Sequence, residues 1–256
     1  MSTTAAPQKP PSYAHAAGAS SAPPSSSSSS LAKAPPQPHA HPRPHPAPDH
    51  PRWGAPRPGQ SKVHRHRPTT AHEEAHVYVL TLRLSPPLHD ALNALRTRYF
   101  PAERLKVPAH LTLFHALPHS QLDHVVAVAG SVAHGTKPFR VTTGEAFLLG
   151  KNGVAVAPGR GTEQGARVHA QLREEWSGFL SKQDAKGFKA HWTVQNKVDD
   201  EDKVYAAFDE VKAWTREKGA EGEANGLVLW RYARGHWVFE REFLFGEAAA
   251  KGEDGR

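Results

Sequence analysis

The chain has 256 residues, no cysteine and a formal net charge of +7, and these facts limit what it can be. Without cysteine it has no disulfide, no thiolate metal site and no cysteine nucleophile. The net charge belongs to residues 1–70, where eight basic residues face one acid, whereas residues 71–256 hold 24 basic and 24 acidic residues. The high overall charge therefore says little about the folded part.

Residues 1–70 differ in composition from the rest of the chain. They contain a run of six serines and sixteen of the 23 prolines. Such a segment buries too little apolar surface to offset the entropy of ordering it, so we predict a disordered Pro/Ser/His-rich basic tail. The tail either contacts RNA weakly through phosphates or acts only as a solvating linker.

No apolar run reaches the roughly 18 residues of a membrane span, and the N-terminus lacks the apolar stretch of a signal peptide. We therefore expect an intracellular protein, cytoplasmic or nuclear, that is a monomer and does not contact membranes. A serine-rich, acid-poor start leaves an organelle transit peptide open, although the prolines oppose the amphipathic helix that such peptides form.

Residues 71–256 are sufficient for one substantial domain or for two intimately packed lobes. A strand over 76–84 alternates apolar and polar residues, and a helix follows whose apolar residues recur at helical spacing, Leu88, Leu92, Leu95 and Tyr99. The next segment, VPAHLTLFHALPH, reads as a strand. Ser120 and Asp123 then resemble a capping box at the start of a second helix.

The strand over 107–119 carries a polar pair in an apolar run. Residues two apart in a strand share a face, so His110 and Thr112 stand together while Leu111 and Leu113 enter the core. Alone, this pattern is typical of any strand with one solvated face.

The second half of the domain repeats this order. Two strands, FRVTTGEAFLL and GVAVA, precede a helix that starts near Thr162, and GFKAHWTVQNKV then predicts another strand. His191 and Thr193 are again two apart, opposite Trp192 and Val194. Asp199 or Asp200 caps the following helix, and a hairpin turning at Arg234-Gly235 closes the chain.

Chance does not explain two such segments. With the histidines and threonines of residues 71–256, a His-apolar-Thr-apolar run is expected roughly 0.1 times at random. Internal duplication is the stronger explanation. Two imidazoles across a cleft can serve as base and acid on opposite sides of one centre, and two hydroxyls can donate to its oxygens. A phosphodiester fits this arrangement without a metal ion or cofactor.

HLTL and HWTV resemble the paired H-x-T-x motifs of the 2H phosphoesterase superfamily, and HWTVQNKV is similar to its 2′-5′ RNA ligase-like and cyclic phosphodiesterase members. The resemblance implies a bilobal α+β fold with two antiparallel sheets, outer helices and a central groove. It implies metal-independent hydrolysis of 2′,3′-cyclic or related phosphates of nucleotides or RNA ends. His110 and His191 would be the catalytic pair, and Thr112 and Thr193 the phosphate binders.

Further substrate contacts are expected from residues near the motifs and in the closing hairpin. The lysines that could attract phosphate are Lys106, Lys189 and Lys197, and the aromatic residues that could stack a base are Tyr232 and Trp237. His115 and His119 read as structural or exposed. Hydrolysis, 2′-5′ joining of RNA ends, and nucleotide or RNA binding without turnover all remain open, because hydrolysis and ligation share one transition state.

Overall fold

The structure is a computed structural model that describes residues 67–71 and 73–246. The tail predicted over residues 1–70 lies outside the described residues except for its last four, and the division of the chain at residue 70 stays a prediction. Those last residues contact the domain. The Thr69 amide donates to the Phe179 carbonyl at 3.0 Å, and the Thr69 hydroxyl donates to the Leu180 carbonyl at 2.8 Å.

Strands and helices alternate in the predicted order along the described residues. The strands are β1 (Val77–Leu84), β2 (Thr112–Pro118), β3 (Phe139–Leu148), β4 (Val154–Pro158), β5 (Trp192–Gln195), β6 (Glu221–Ala233) and β7 (His236–Leu244). The helices are α1 (Pro86–Tyr99), α2 (Leu122–Gly135), α3 (Thr162–Glu175) and α4 (Glu201–Glu217). Short 3₁₀ turns, Ala102–Arg104 and His119–Gln121, precede β2 and α2. None of the helices described is long and apolar enough to cross a membrane.

Local chemistry accounts for several boundaries. The Asp200 carboxylate accepts from the Lys203 amide at 3.2 Å and caps α4, as predicted. The β6–β7 hairpin turns where expected, with positive φ at Arg234 (49°) and Gly235 (89°), the conformation of a two-residue hairpin turn. The predicted capping box of α2 is wrong. The carboxylate of Glu74 instead accepts from both the amide and the hydroxyl of Ser120, because the chain before β1 brings that acid to the helix start.

The strands pair antiparallel in the order β2-β1-β6-β3-β4-β5. One edge of β6 pairs with β1, and its other edge is shared by β3 and β7. The first residues of β3 pair with β6 and the later ones with β4, so β3 joins the two halves of the fold. The predicted α+β class with antiparallel sheets and outer helices is confirmed.

Helices cover the sheets and bury one face of them. Helix α1 packs on β5 and β6, α4 on β3 and β4, and α2 on β7 and α3. Leu80 of β1 and Leu88 and Leu92 of α1 are at most 1% exposed. Burying a leucine side chain contributes about 1.5–3 kcal/mol, so this layer fixes α1 against the strands. The position of α1 is important because it contacts both motif segments.

Candidate active site

The two motif strands stand at opposite ends of the strand order, yet one side chain bonds to both motif segments. Arg96 of α1 is 3% exposed, and its guanidinium donates to the Thr193 carbonyl at 2.5 Å and to the Val107 carbonyl at 3.0 Å. Asn93, one helical turn earlier, accepts from the Ala109 amide at 2.6 Å. Helix α1 therefore holds the approach to the first motif directly against the second.

The motif histidines precede the strands rather than lying within them. Strand β2 begins at Thr112 and β5 at Trp192, which corrects the expectation that His110 and His191 are strand residues. The predicted faces are confirmed. Leu111, Leu113, Trp192 and Val194 are buried, while the residues of both His-Thr pairs are half-buried. The charge of His191 acts on His110, which indicates that the two motifs lie near each other. We call the region around His110, Thr112, His191 and Thr193 the groove.

Both histidines are fixed by the same backbone contact. The Nδ1 atom of His110 lies 2.7 Å from the Pro108 carbonyl oxygen, and the Nδ1 atom of His191 lies 3.0 Å from the Lys189 carbonyl oxygen. A carbonyl oxygen can only accept, so each ring carries its proton on Nδ1 and presents Nε2 as the reactive nitrogen. The two motif histidines therefore share the same tautomer.

The groove keeps both imidazoles neutral. The pKa of His110 is lowered to about 4, mainly by burial and also by repulsion from Arg96 and from His115 and His191 in their protonated forms, against the opposing effect of the Pro108 carbonyl. Burial also lowers the pKa of His191, as does the charge of His115. A bound phosphate would supply negative charge that raises both pKa values, so one ring could then carry the proton needed by an acid.

A β-bulge follows the threonine in both motif strands. Thr112 pairs with Thr81 and Phe114 with Leu80, which leaves Leu113 as an extra residue. Thr193 pairs with Ala155 and Gln195 with Val154, which leaves Val194 as the extra residue in the second copy. A bulge reverses the alternation of faces after it. His115, three residues after Thr112, therefore turns to the face of the groove.

Two residues of the site escaped sequence analysis. Arg96 was not recognised because nothing in α1 distinguishes a helix arginine that contacts segments 11 and 97 residues away. His115 read as structural or exposed. Its side chain is exposed, but its charge acts on both His110 and His191, so it lies beside the groove. The feature that turns His115 toward the groove is the bulge at Leu113, and the alternation of apolar and polar residues in the sequence does not reveal a bulge.

The closing hairpin borders the groove beside the first motif. The Trp237 and His110 rings lie 4.4 Å apart between centroids. Tyr232 pairs with Trp237 across the hairpin and is 50% exposed, so both predicted aromatic residues lie on one face. The Trp230 ring, also on this face, lies 6.2 Å from Trp237, and its Nε1 donates to the Thr81 hydroxyl.

The three lysines predicted to contact substrate lie in different places around the two motifs. The side chain of Lys106 lies against Gly235 of the hairpin turn, near Trp237. Lys189 is exposed and holds His191 through its carbonyl. Lys197 lies two residues beyond the end of β5 and six residues after His191. Among residues 67–71 and 73–246, no three His, Asp or Glu side chains are grouped to hold a metal ion. Metal independence remains a prediction.

Known proteins share this fold and match part of the sequence. A family model described as the 2′-5′ RNA ligase superfamily matches residues 84–236, more than half of the chain. No curated protein matches. The solved structure of TT0787 from Thermus thermophilus is 18% identical, with a TM-score of 0.50, covering 66% of this chain and 98% of that one. E. coli LigT complexed with NADP+ is 16% identical, with a TM-score of 0.46, covering 68% of this chain and 100% of that one.

A more distant similarity is to Kluyveromyces marxianus Usb1, 11% identical with a TM-score of 0.36, covering 67% of this chain and 99% of that chain. The family match over more than half of the chain indicates a phosphoesterase-type protein. The chain belongs to the 2′-5′ RNA ligase superfamily, within the 2H phosphoesterases.

Proposed function

We propose that this chain hydrolyses 2′,3′-cyclic or related cyclic phosphates of nucleotides or RNA ends, by two-histidine acid–base catalysis without a metal ion or cofactor. One observation carries the proposal. His110 and His191 have the same fixed tautomer, each stands two residues before a threonine, and Arg96 bonds both motif segments. Two equivalent imidazoles that share a groove suit a reaction with one attacking and one leaving oxygen.

The reaction has two proton transfers. A neutral imidazole accepts through Nε2 a proton from the attacking water, whose oxygen forms the new bond to phosphorus. The bond from phosphorus to one ribose oxygen breaks, and the second imidazole, protonated, donates its Nε2 proton to that oxygen. The hydroxyls of Thr112 and Thr193 donate to the two nonbridging oxygens and stabilise the charge that they carry. The product is a phosphate monoester with a free ribose hydroxyl.

The rest of the nucleotide has contacts available beside this centre. A base stacks on Trp237 or Tyr232 of the hairpin, where base–aromatic stacking contributes roughly 1–3 kcal/mol. Lys106 and Lys189 attract the anionic substrate from the two sides of the groove. Lys197, two residues beyond β5, is proposed as a third contact.

End joining is the second candidate, and the description of the family favours it. In that reaction a ribose hydroxyl at an RNA 5′ end replaces water as the attacking group. The same histidines serve because only the attacking group changes: one imidazole still accepts its proton, and the other still donates a proton to the leaving ribose oxygen. Binding without turnover is the third possibility and an outcome of the same test.

The test incubates the full-length protein with 2′,3′-cyclic mononucleotides, and separately with RNA pieces carrying cyclic-phosphate and 5′-hydroxyl ends, in EDTA. Chromatography identifies the products, and a His110→Ala/His191→Ala double variant is the control. We expect phosphate monoesters from the wild type and none from the control. Activity lost in EDTA and restored by a divalent ion would contradict the metal-free mechanism. Substrate bound but unchanged would mean a binding module.

A further inference from the structure

His115 stands on the groove side of β2 because of the bulge at Leu113. Leu113 and Phe114 are consecutive and both buried, at 3% and 0% exposure, while the side chain of His115 is 41% exposed. This pattern fits a strand that changes its alternation after Thr112. Asn196 stands at the equivalent spacing, three residues after Thr193, but it lies beyond the end of β5.

A buried carboxylate holds His115 in place. Asp184 is 3% exposed, and its Oδ1 accepts from the His115 amide at 2.9 Å and lies 3.1 Å from His115 Nδ1. Its Oδ2 accepts from the Ala116 amide and the Ser181 hydroxyl, each at 3.0 Å. Burial raises the pKa of Asp184, but the hydrogen bonds from His115 and Ser181 outweigh this effect and leave that pKa lowered. The carboxylate is therefore ionised and orients the imidazole with Nε2 pointing away from it.

The scissile phosphate does not require His115. In the proposed reaction His110 and His191 exchange protons with its attacking and leaving oxygens. Thr112 and Thr193 donate hydrogen bonds to its two nonbridging oxygens. His115 lies three residues further along β2 than Thr112, at most about 10 Å away along the strand. An imidazole backed by a carboxylate and accessible from the groove is suited to bind a different anionic group of the same substrate.

We propose that His115, oriented by Asp184, forms a second phosphate subsite, which binds a phosphoryl group one ribose away from the scissile phosphate. This inference rests on the proposed function, since it places the scissile phosphate between the two motifs. It makes the preferred substrate a nucleotide or RNA end that carries a phosphate on the 5′ side of the reacting ribose. A nucleoside cyclic phosphate without that group would be a poorer substrate.

The first measurement compares kcat/KM for adenosine 2′,3′-cyclic phosphate with and without a 5′-phosphate, using the full-length protein. The variants are His115→Gln, which removes the positive charge, and His115→Lys, which restores a cation. His134→Gln is the matched control, because His134 is exposed in the last turn of α2. A charged hydrogen bond predicts a preference of about 10-fold or more for the 5′-phosphorylated substrate. We expect the preference in the wild type and His134→Gln, its near loss in His115→Gln, and partial return in His115→Lys.

The second measurement separates this subsite from the reaction. Calorimetry compares the binding of adenosine 3′,5′-bisphosphate and adenosine 3′-monophosphate to the same variants. Tighter binding of the bisphosphate that depends on His115 supports the subsite even if no cyclic phosphate is hydrolysed, an outcome that would refute only the proposed function. If the ratio of affinities and the ratio of kcat/KM values are the same in wild type and His115→Gln, the subsite is refuted.

Discussion

Replacing Arg96 tests whether one buried cation holds the two motifs together. Arg96 bonds the carbonyls of Val107 and Thr193, and among the described residues no carboxylate forms an ion pair with it. Arg96→Met fills similar space but removes the charge and both hydrogen bonds. Arg96→Lys keeps the charge but lacks the planar fork that reaches two carbonyls at once.

The effects of Arg96→Met on stability oppose one another. Two charge-assisted hydrogen bonds contribute about 1.5–3 kcal/mol each, and their loss leaves two carbonyls without this partner. Burial lowers the pKa of Arg96 from 12.5 to about 10, a shift that corresponds to about 3 kcal/mol of desolvation relieved when the cation is removed. The net loss of stability should be only about 0–3 kcal/mol. The catalytic loss should be larger, since a misplacement of about 1 Å between reacting groups can cost 10²-fold in rate.

The assay is the pH dependence of kcat/KM on a 2′,3′-cyclic nucleotide, with folding checked by circular dichroism. We expect both variants to lose on the order of 10²-fold in rate, because neither aligns the motifs. The charge of Arg96 contributes to the lowered pKa of His110. In Arg96→Met that pKa therefore rises, and the limb of the profile that reports His110 moves to higher pH. In Arg96→Lys the limb should stay near its wild-type position. A folded Arg96→Met with wild-type kcat/KM and an unshifted profile would refute the reasoning.

Three further predictions concern the threonines, a buried histidine and the tail. Thr112→Ala and Thr193→Ala should each lower kcat/KM about 10–100-fold, because each loses one hydrogen bond to a charged phosphate oxygen. The Thr→Ser variants keep a hydroxyl and should lose less. Equal activity in the Ala and Ser variants would contradict the phosphate contact. Burial lowers the pKa of His169 to about 4. The unfolded chain therefore binds that proton first, and stability should fall by on the order of 3 kcal/mol as the pH drops from 6.5 to 4. His169→Phe should reduce this fall in acid denaturation curves, and an unchanged pH dependence would count against the buried neutral ring. Removing residues 1–66 should preserve the thermal transition, because Thr69 is the first described residue to bond to the domain; a truncated protein that precipitates would show that the boundary is wrong.

Patterns that depend on neighbouring residues were predictable from the sequence. The alternation around His110 and His191 gave the correct faces, because strand geometry relates residues two apart. The turn at Arg234-Gly235 and the cap at Asp200 followed from residue types with strong local preferences. The alternation, the turn and the cap are all short-range signals, because each depends on residues within a few positions of the feature that it specifies.

Features that depend on distant contacts were not predictable in the same way. The pairing of β6 with β1 joins residues about 150 positions apart, and nothing local in either strand specifies it. The bulges at Leu113 and Val194 depend on the register of the partner strands, so the sequence alone does not indicate that His115 lies near the two motif histidines. Asp184 meets His115 across 69 positions, within a loop whose residues gave no periodic pattern.

The measurement closest to the central claim is the kinetics of His110→Ala, His191→Ala and the double variant on a 2′,3′-cyclic nucleotide, with folding verified for each. If one imidazole accepts a proton and the other donates one, each single variant should lose roughly 10²–10⁴ in kcat/KM, and the wild-type pH profile should be bell-shaped. The double variant should lose far less than the product of the two single losses, because both act in one step. A folded His191→Ala that retains near wild-type turnover while His110→Ala is inactive would contradict the two-histidine mechanism.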